Sequence, residues 1–310
     1  MEWVILSLIL IILIFIFLIP YLIYLKAFNS STVKNEDPYH LPFVCNEKSK
    51  EKMVKLIDEM RSIPYEQVNI VSYDGTKISA RYYHVSDDSP IQIQVHGYRG
   101  IAIRDFCGGN KLARENGYNT LLIDQRGHGD SKGKAITFGI KESKDVLCWI
   151  DYVVKRFGKD CKIVLCGVSM GASSILLASQ NKLPSNVKAI VADCPFSSAK
   201  DIIIKVMKDM KLPAKLCYPF VCLSARLYGK FSLKDGDVTE AIKKCQIPVL
   251  LIHGEKDELV PAKMSVQMYE SNPEVIRLEL FKDATHGLSY IVDNERYERI
   301  CLEFLKSYDW

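Results

Sequence analysis

The chain has 310 residues, of which 48% are hydrophobic and 25% are charged, and its net charge is +4. Such a chain can bury a large core, and an α/β fold of this length commonly forms one domain. The basic residues do not cluster among aromatic residues, so the charge indicates solubility or weak attraction to anionic lipid and no nucleic-acid partner.

The first predicted element is an apolar segment. Residues 3–25 carry no charge and would form a helix of roughly 35 Å, enough to cross a hydrocarbon core of about 30 Å. The sequence therefore predicts a single-pass transmembrane anchor over residues 1–25. A secretory signal peptide is the alternative, but the apolar run is too long, lacks a basic start and has no small-residue cleavage site after it.

Two features favour a cytoplasmic position for the rest of the chain. Lys26 and Lys34 follow the apolar segment, and the side of the membrane that carries more Lys and Arg is usually the cytoplasmic one. None of the ten cysteines forms a C-x-x-C pair, and several lie in apolar strands where a reduced thiol behaves as a small hydrophobic group.

Residues 26–65 are predicted to be a juxtamembrane linker. It contains a charged helix from Glu47 to Arg61, interpreted as a solvated linker helix, with a docking role as the alternative. Residues 68–72 and 77–83 then predict a β-hairpin closed by Asp74 and Gly75. From residue 91, strands alternate with helical stretches, which predicts a mostly parallel sheet with helices on both faces, in one domain over residues 66–310.

A glycine-serine motif follows one of these predicted strands. Gly167, Val168, Ser169, Met170 and Gly171 follow an apolar run and open a helix-forming stretch. In this G-x-S-x-G context, a sharp strand-to-helix turn lifts the serine hydroxyl clear of the sheet. The turn brings backbone close to backbone, which glycine tolerates best. Ser169 is therefore the candidate nucleophile.

A serine hydroxyl needs a histidine to remove its proton and a carboxylate to orient that histidine. Asp257 follows the predicted strand 247–252, and His286 follows the predicted strand 276–281, in the order serine, acid, histidine. Asp193, at the end of the predicted strand 187–192, is the rival acid. The other histidines that end strands, at positions 96, 128 and 253, are interpreted as packing residues.

Two further loops complete the pattern. His96, Gly97, Tyr98, Arg99 and Gly100 follow the strand 91–95, and residues 124–131 read D-Q-R-G-H-G-D-S after the strand 120–123. With these motifs, residues 66–308 resemble the α/β-hydrolase superfamily, and within it the compact bacterial serine aminopeptidases and prolyl-oligopeptidase-type hydrolases. The resemblance implies the α/β-hydrolase fold and an oxyanion hole formed by the backbone N–H groups of Tyr98 and Met170.

Between the sixth and seventh strands, residues 197–246 form an insertion interpreted as a small cap over the active site, with a packing role as the alternative. No histidine or cysteine spacing suits a zinc site, and neither a metal nor a cofactor is expected. The expected function is hydrolysis of an acyl ester or thioester. The alternatives are a serine peptidase and a non-catalytic membrane-tethered binding protein, and the oligomeric state stays open.

Overall fold

The computed structural model describes residues 2–30, 37–41 and 46–308. Within this part of the chain an eight-stranded sheet lies at the centre, in the order β1-β2-β4-β3-β5-β6-β7-β8. The strands are β1 (Glu66–Val71), β2 (Lys77–Tyr83), β3 (Ile91–Val95), β4 (Asn119–Asp124), β5 (Ile163–Val168), β6 (Val187–Asp193), β7 (Val249–Gly254) and β8 (Ile276–Phe281). Strand β2 runs antiparallel to both its neighbours, and β3 to β8 are parallel. The predicted hairpin and mostly parallel sheet are confirmed.

Helices cover both faces of the sheet. They are α1 (Glu2–Leu13), α2 (Ile19–Ala27), α3 (Glu47–Arg61), α4 (Ala102–Glu115), α5 (Ile140–Phe157), α6 (Met170–Ala178), α7 (Ala199–Asp209), α8 (Ala214–Ser224), α9 (Val238–Ile242), α10 (Lys263–Ser271), α11 (Ser289–Val292) and α12 (Asn294–Lys306). Helices α5, α6, α9 and α10 pack on one face, and α3, α4, α11 and α12 on the other. Successive side chains of a strand point to opposite faces, so Leu121 joins the first core and Leu122 the second.

The apolar segment at the beginning of the chain is divided. A π-helical turn, Ile14–Leu18, separates α1, which has 12 residues, from α2, which has 9. The Ile19 N–H bonds to the carbonyl of Ile14, five residues back, and Pro20 has no N–H to continue the helical ladder. In the described part of the chain, no helix is both long enough and apolar enough to cross a membrane. The predicted single spanning helix over residues 3–25 is therefore not supported, and the orientation inferred from it stays a prediction.

Helix α3 differs from a solvated linker helix. Its charged residues lie on one side, while Met53, Leu56, Ile57 and Met60 are buried on the other. This spacing of three, one and three residues places the four side chains on one helical face. They pack in the same core as α4 and α12, so the helix forms part of the packed domain.

The insertion at residues 197–246 contains α7, α8 and α9. A third apolar cluster joins its side chains to Phe28, just after α2, and to Ile140 at the start of α5. Lys205 of α7 donates a hydrogen bond to the carbonyl of Glu258. The insertion thus ties the N-terminal segment to the loop that follows β7.

Candidate active site

The candidate nucleophile lies on a strained turn between β5 and α6. Ser169 has φ 54° and ψ −119°, a conformation that residues other than glycine adopt at a cost and that is held by the surrounding structure. The flanking glycines allow the close approach: a Cβ at Gly171 would lie 1.9 Å from the carbonyl oxygen of Val95, and one at Gly167 would lie 2.6 Å from the backbone nitrogen of Ala172. The turn therefore requires glycine at both positions.

The structure brings Ser169, His286 and Asp257 together. His286 Nδ1 lies 2.7 Å from Asp257 Oδ2, and His286 Nε2 lies 2.9 Å from Ser169 Oγ. An ionised carboxylate only accepts hydrogen bonds, so Nδ1 carries the proton and Nε2 is left to accept one from the serine hydroxyl. The geometry places a basic ring nitrogen against a hydroxyl, as nucleophilic catalysis requires.

Asp257 is held in the charged state by its partners. Burial acts to raise its pKa, but hydrogen bonds from His253 and His286 and from the Val260 N–H outweigh burial and lower the pKa to about 2. Its Oδ1 accepts from the N–H groups of Leu259 and Val260 at 3.0 and 2.8 Å. This carboxylate is therefore ionised at neutral pH and fixed in direction.

Asp193, the rival acid, lies at the end of β6, beside β7, but the carboxylate that hydrogen-bonds to His286 Nδ1 is that of Asp257. The backbone carbonyl of Asp193 accepts from the Ser169 N–H at 2.8 Å. Its side-chain Oδ1 is buried and has no hydrogen-bond partner among the described residues. Burial raises the pKa of this carboxyl to about 6. The backbone of Asp193 braces the serine turn, whereas its side chain is a poorly solvated acid.

The loop from His96 to Gly100 lies beside the serine. A Cβ at Gly97 would come within 3.3 Å of Ser169 Cβ, so the backbone that leads into Tyr98 passes directly over the nucleophile. The Gly97 N–H donates to Asp105 Oδ2 at 3.0 Å, which anchors the loop to α4. Met170 begins α6, where backbone N–H groups have no partner within the helix.

The remaining strand-end histidines form structural contacts. His253 Nε2 lies 2.7 Å from the carbonyl of Val260 and Nδ1 lies 2.7 Å from Ser265 Oγ. Burial lowers the pKa of His96 to about 4 and that of His128 to about 3, so both are neutral. Neither His96 nor His128 hydrogen-bonds to Ser169; His96 accepts instead from the backbone N–H of Gln125 at 3.0 Å.

One group of possible metal ligands appears among the described residues, and it overlaps this site. Suitable atoms of Cys194, Asp257 and His286 lie within 4.8 Å of one another. Asp257 and His286 already hydrogen-bond to each other, and burial raises the pKa of the Cys194 thiol well above its usual range. Because metals bind the thiolate, this environment disfavours a metal here.

A cavity of about 160 Å³ opens beside Ser169 and His286. Much of its wall is apolar and comes from α3, α4 and α11. The side chains that give it this character are Met53, Phe106, Val168, Leu288, Tyr290 and Ile291. No residue of the insertion 197–246 lines the cavity in the described part of the chain, which favours a packing role for that segment.

The profile of the family "serine aminopeptidase, S33" matches residues 93–237. A Bacillus subtilis protein, the uncharacterized YqkD, is 26% identical over 190 residues, 61% of this chain and 62% of its own length. The uncharacterized membrane protein YNL320W of Saccharomyces cerevisiae is 25% identical over 222 residues, 69% of this chain and 70% of its own length. The chain spans about three fifths of the length of the Bacillus relative.

Among solved structures, the Pyrococcus furiosus esterase Pf2001 superposes with a TM-score of 0.66 at 27% identity, covering 86% of this chain and 97% of the esterase. The chain has the fold of the α/β-hydrolases and is similar to the serine aminopeptidase S33 family over the matched residues. The predicted α/β-hydrolase fold is thereby confirmed for the sheet and its helices, and the family and the esterase likeness support a hydrolase.

Two residues around the site have no signal in the sequence. Asp105, in the next helix, accepts a hydrogen bond from the Gly97 N–H, and Tyr290 lines the cavity, with its ring packed where a Cβ at Gly108 would stand. Neither residue belongs to a motif. Their roles depend on which helices meet at the carboxyl edge of the sheet, and no spacing in the sequence signals that.

Proposed function

We propose that this protein is a serine hydrolase that cleaves acyl esters through an acyl-enzyme formed on Ser169. The observation that carries the proposal is the continuous hydrogen-bonded line from Ser169 through His286 to Asp257 at the mouth of a partly apolar cavity. A binding protein on this fold has no need of three reactive groups in contact. The likeness to an esterase supports the same reading.

The chemistry follows from the roles of these three groups. Ser169 Oγ attacks the acyl carbonyl while His286 Nε2 accepts the hydroxyl proton, and Asp257 stabilises the imidazolium that results. Negative charge develops on the carbonyl oxygen, where the backbone N–H groups of Tyr98 and Met170 would stabilise it. When the tetrahedral species collapses, His286 gives its proton to the departing alkoxide and the acyl group stays on Ser169. Water then attacks by the same route and releases the acid.

The size of the cavity favours a short acyl group. Its volume of about 160 Å³ is close to that of an engineered apolar cavity of about 150 Å³ that binds benzene. A group of about six carbon atoms would fill it. We therefore propose esters of short-chain acids as the substrate class, with thioesters of the same acids as close analogues.

The test is labelling with a fluorophosphonate followed by ester hydrolysis. Labelling should be abolished in Ser169→Ala. Its rate of ester hydrolysis should fall to about 10³ to 10⁴ times that of the uncatalysed reaction in water, the acceleration that binding and an oxyanion hole alone supply. Ser173→Ala, at a serine of α6 one turn after Ser169 that does not contact His286, is the matched control and should label fully. Labelling of Ser169→Ala at the same site would overturn the proposal.

A peptidase is the second candidate, because the matched family is described as serine aminopeptidases. The Asp193 carboxyl beside the cavity offers a group that could hold a substrate ammonium. A panel of aminoacyl anilides, measured beside esters of acetic to octanoic acid, separates the two. Turnover of anilides with kcat/KM above that of the esters would favour the peptidase.

We also propose that the N-terminal apolar segment attaches the protein to a membrane. The side chains of α1 that support this are exposed and apolar: Trp3, Val4, Ile5, Leu6, Leu8 and Leu10. A yeast relative is described as a membrane protein. Full-length protein should float with phosphatidylcholine vesicles, and Leu6→Asn with Leu10→Asn should weaken flotation. Val71→Asn with Val85→Asn, at exposed valines elsewhere, is the control; failure of the unaltered chain to float would contradict attachment.

A further inference from the structure

The end of helix α2 lies against the loop that carries Tyr98. The Tyr98 hydroxyl donates a hydrogen bond to the carbonyl of Ala27 at 2.9 Å. The Arg99 guanidinium donates to the carbonyl of Lys26 at 2.8 Å and reaches that of Asn29 at 3.4 Å. Carbonyls at the carboxyl end of a helix lack partners within the helix, and a cation there is favoured by the helix dipole. The guanidinium of Arg99 therefore lies where the end of α2 stabilises a positive charge.

The chain that follows α2 is also held by contacts outside this loop. Phe28 is fully buried, with its ring edge-on to Phe138 at 5.8 Å and to Phe231 at 5.2 Å. Its carbonyl accepts from the Ile136 N–H at 2.7 Å, and Asn29 forms a β-bridge to Ala135. The carbonyls that Arg99 binds thus belong to a rigid part of the domain.

The loop itself needs such support. Arg99 has φ 49°, a left-handed conformation that a residue with a Cβ keeps only where the surroundings impose it. The Arg99 side chain also stacks on the Tyr98 ring, with the guanidinium 5.5 Å from the ring centre. On its other side, the loop is fixed by the bond from Gly97 to Asp105. The Tyr98 N–H therefore lies between two anchors, one in α4 and one in α2.

We propose that the carboxyl end of α2 is a positioning element for the oxyanion loop, with Arg99 and the Tyr98 hydroxyl as the positioning groups. The proposal rests on the proposed function, because it concerns the N–H that would stabilise the negatively charged oxygen. An oxyanion donor works only when it is held at the place where the charge develops. By this reasoning, the N-terminal segment that would attach the protein to a membrane also sets the geometry of the catalytic loop.

Full-length Arg99→Ala, Arg99→Lys and Tyr98→Phe provide the test, with Arg156→Ala as the matched control. Arg156 also forms hydrogen bonds and a cation–π contact, but with Glu66 and Phe157 at the far edge of the sheet. Each variant is measured for kcat and KM on a short-chain ester, and for inhibition by an alkyl boronic acid, which forms a tetrahedral anion on the serine. Fluorophosphonate labelling tests the proposed function separately.

We expect Arg99→Ala to lower kcat by about tenfold to a hundredfold with KM within about twofold, and to weaken boronate binding by a similar factor. Arg99→Lys should recover part of both, since an ammonium can still donate to the helix end. Tyr98→Phe should show a smaller loss of the same kind, and Arg156→Ala none. Amide hydrogen exchange at residues 97–101 should speed up most in Arg99→Ala, less in Tyr98→Phe and not in Arg156→Ala.

Unchanged kcat, boronate affinity and amide exchange in Arg99→Ala would overturn the inference while leaving the labelled serine hydrolase intact. A loss in which KM, kcat and melting temperature change together, without rescue by Arg99→Lys, would also overturn it, because that pattern marks general destabilisation. If the unaltered chain fails to label, the proposed function fails, whereas the exchange measurement still reports whether Arg99 holds the loop.

Discussion

Replacing Asp257 with asparagine exchanges one carboxylate oxygen for an NH₂ group at the end of the hydrogen-bonded line from Ser169 through His286. In the structure, Oδ1 accepts from the N–H groups of Leu259 and Val260, while Oδ2 faces the ring nitrogens of His286 at 2.7 Å and His253 at 3.3 Å. The amide oxygen of asparagine would keep the two backbone bonds, since the NH₂ group cannot accept them. The NH₂ group would then face His286 Nδ1, where a second donor is not tolerated.

The consequence is a change of tautomer. His286 would place its proton on Nε2 and present Nδ1 as an acceptor to the new amide, so Nε2 could no longer accept the Ser169 proton. Loss of the correct tautomer is worth about 10⁴ in kcat, or about 5 kcal/mol of transition-state stabilisation at 1.36 kcal/mol per tenfold. Substrate binding should change little, because the aspartate does not touch the substrate.

The assay measures kcat and KM on a p-nitrophenyl ester of a short acid, with a thermal melt of each variant. Asp193→Asn is the matched control, at the carboxylate on the neighbouring strand, and it should lose at most about tenfold in rate. A near-normal kcat in Asp257→Asn, with a severe loss in a correctly folded Asp193→Asn, would refute the reasoning and assign the acid to Asp193.

Three other outcomes are expected. Because the pKa of Asp193 is raised to about 6 in the folded protein, its ionisation should destabilise the fold progressively as the pH rises from about 4 to about 6. Asp193→Asn does not ionise, so its free energy of unfolding, relative to that of the parent, should be higher at pH 7 than at pH 4 by up to about 3 kcal/mol, measured by urea unfolding. Gly171→Ala, whose Cβ would lie 1.9 Å from the Val95 carbonyl, should abolish labelling or folding, and a Gly171→Ala variant that folds and labels like the parent would contradict the requirement for glycine in the serine turn. Tyr290→Ala should enlarge the cavity and shift the preferred ester to longer acids, and an unchanged chain-length profile would contradict the assignment of the cavity to the acyl group.

The sequence indicates the site because strands and loops of this fold leave local signals. A buried parallel strand is a short apolar run, and the polar residue that follows it lies at the carboxyl edge of the sheet. Ser169, Asp257 and His286 each follow such a run, so their shared edge could be predicted before any contact was known. The sequence likewise predicts the role of the glycines at 167 and 171, because only a residue without a Cβ fits where two backbone segments come into contact.

The N-terminal segment shows where local signals end. Its lack of charge predicted a helix that spans a membrane, but a count of apolar residues does not report the π-helical turn at residues 14–18. The many charges of helix α3 indicate a solvated helix, although its apolar face at residues 53, 56, 57 and 60 is buried. Both differences arise because helix length and burial depend on what a segment packs against.

By itself, the sequence determined where strands follow one another along the chain, the turn that exposes Ser169, and the presence of an acid and a histidine at later strand ends. Each of these features is encoded within a few adjacent residues. Only the tertiary structure decided that Asp257, and not Asp193, lies 2.7 Å from His286, and that the end of α2 is bound by Arg99. Such contacts join residues far apart in the chain, and their geometry is fixed by the twist and packing of the whole sheet, which no local pattern records.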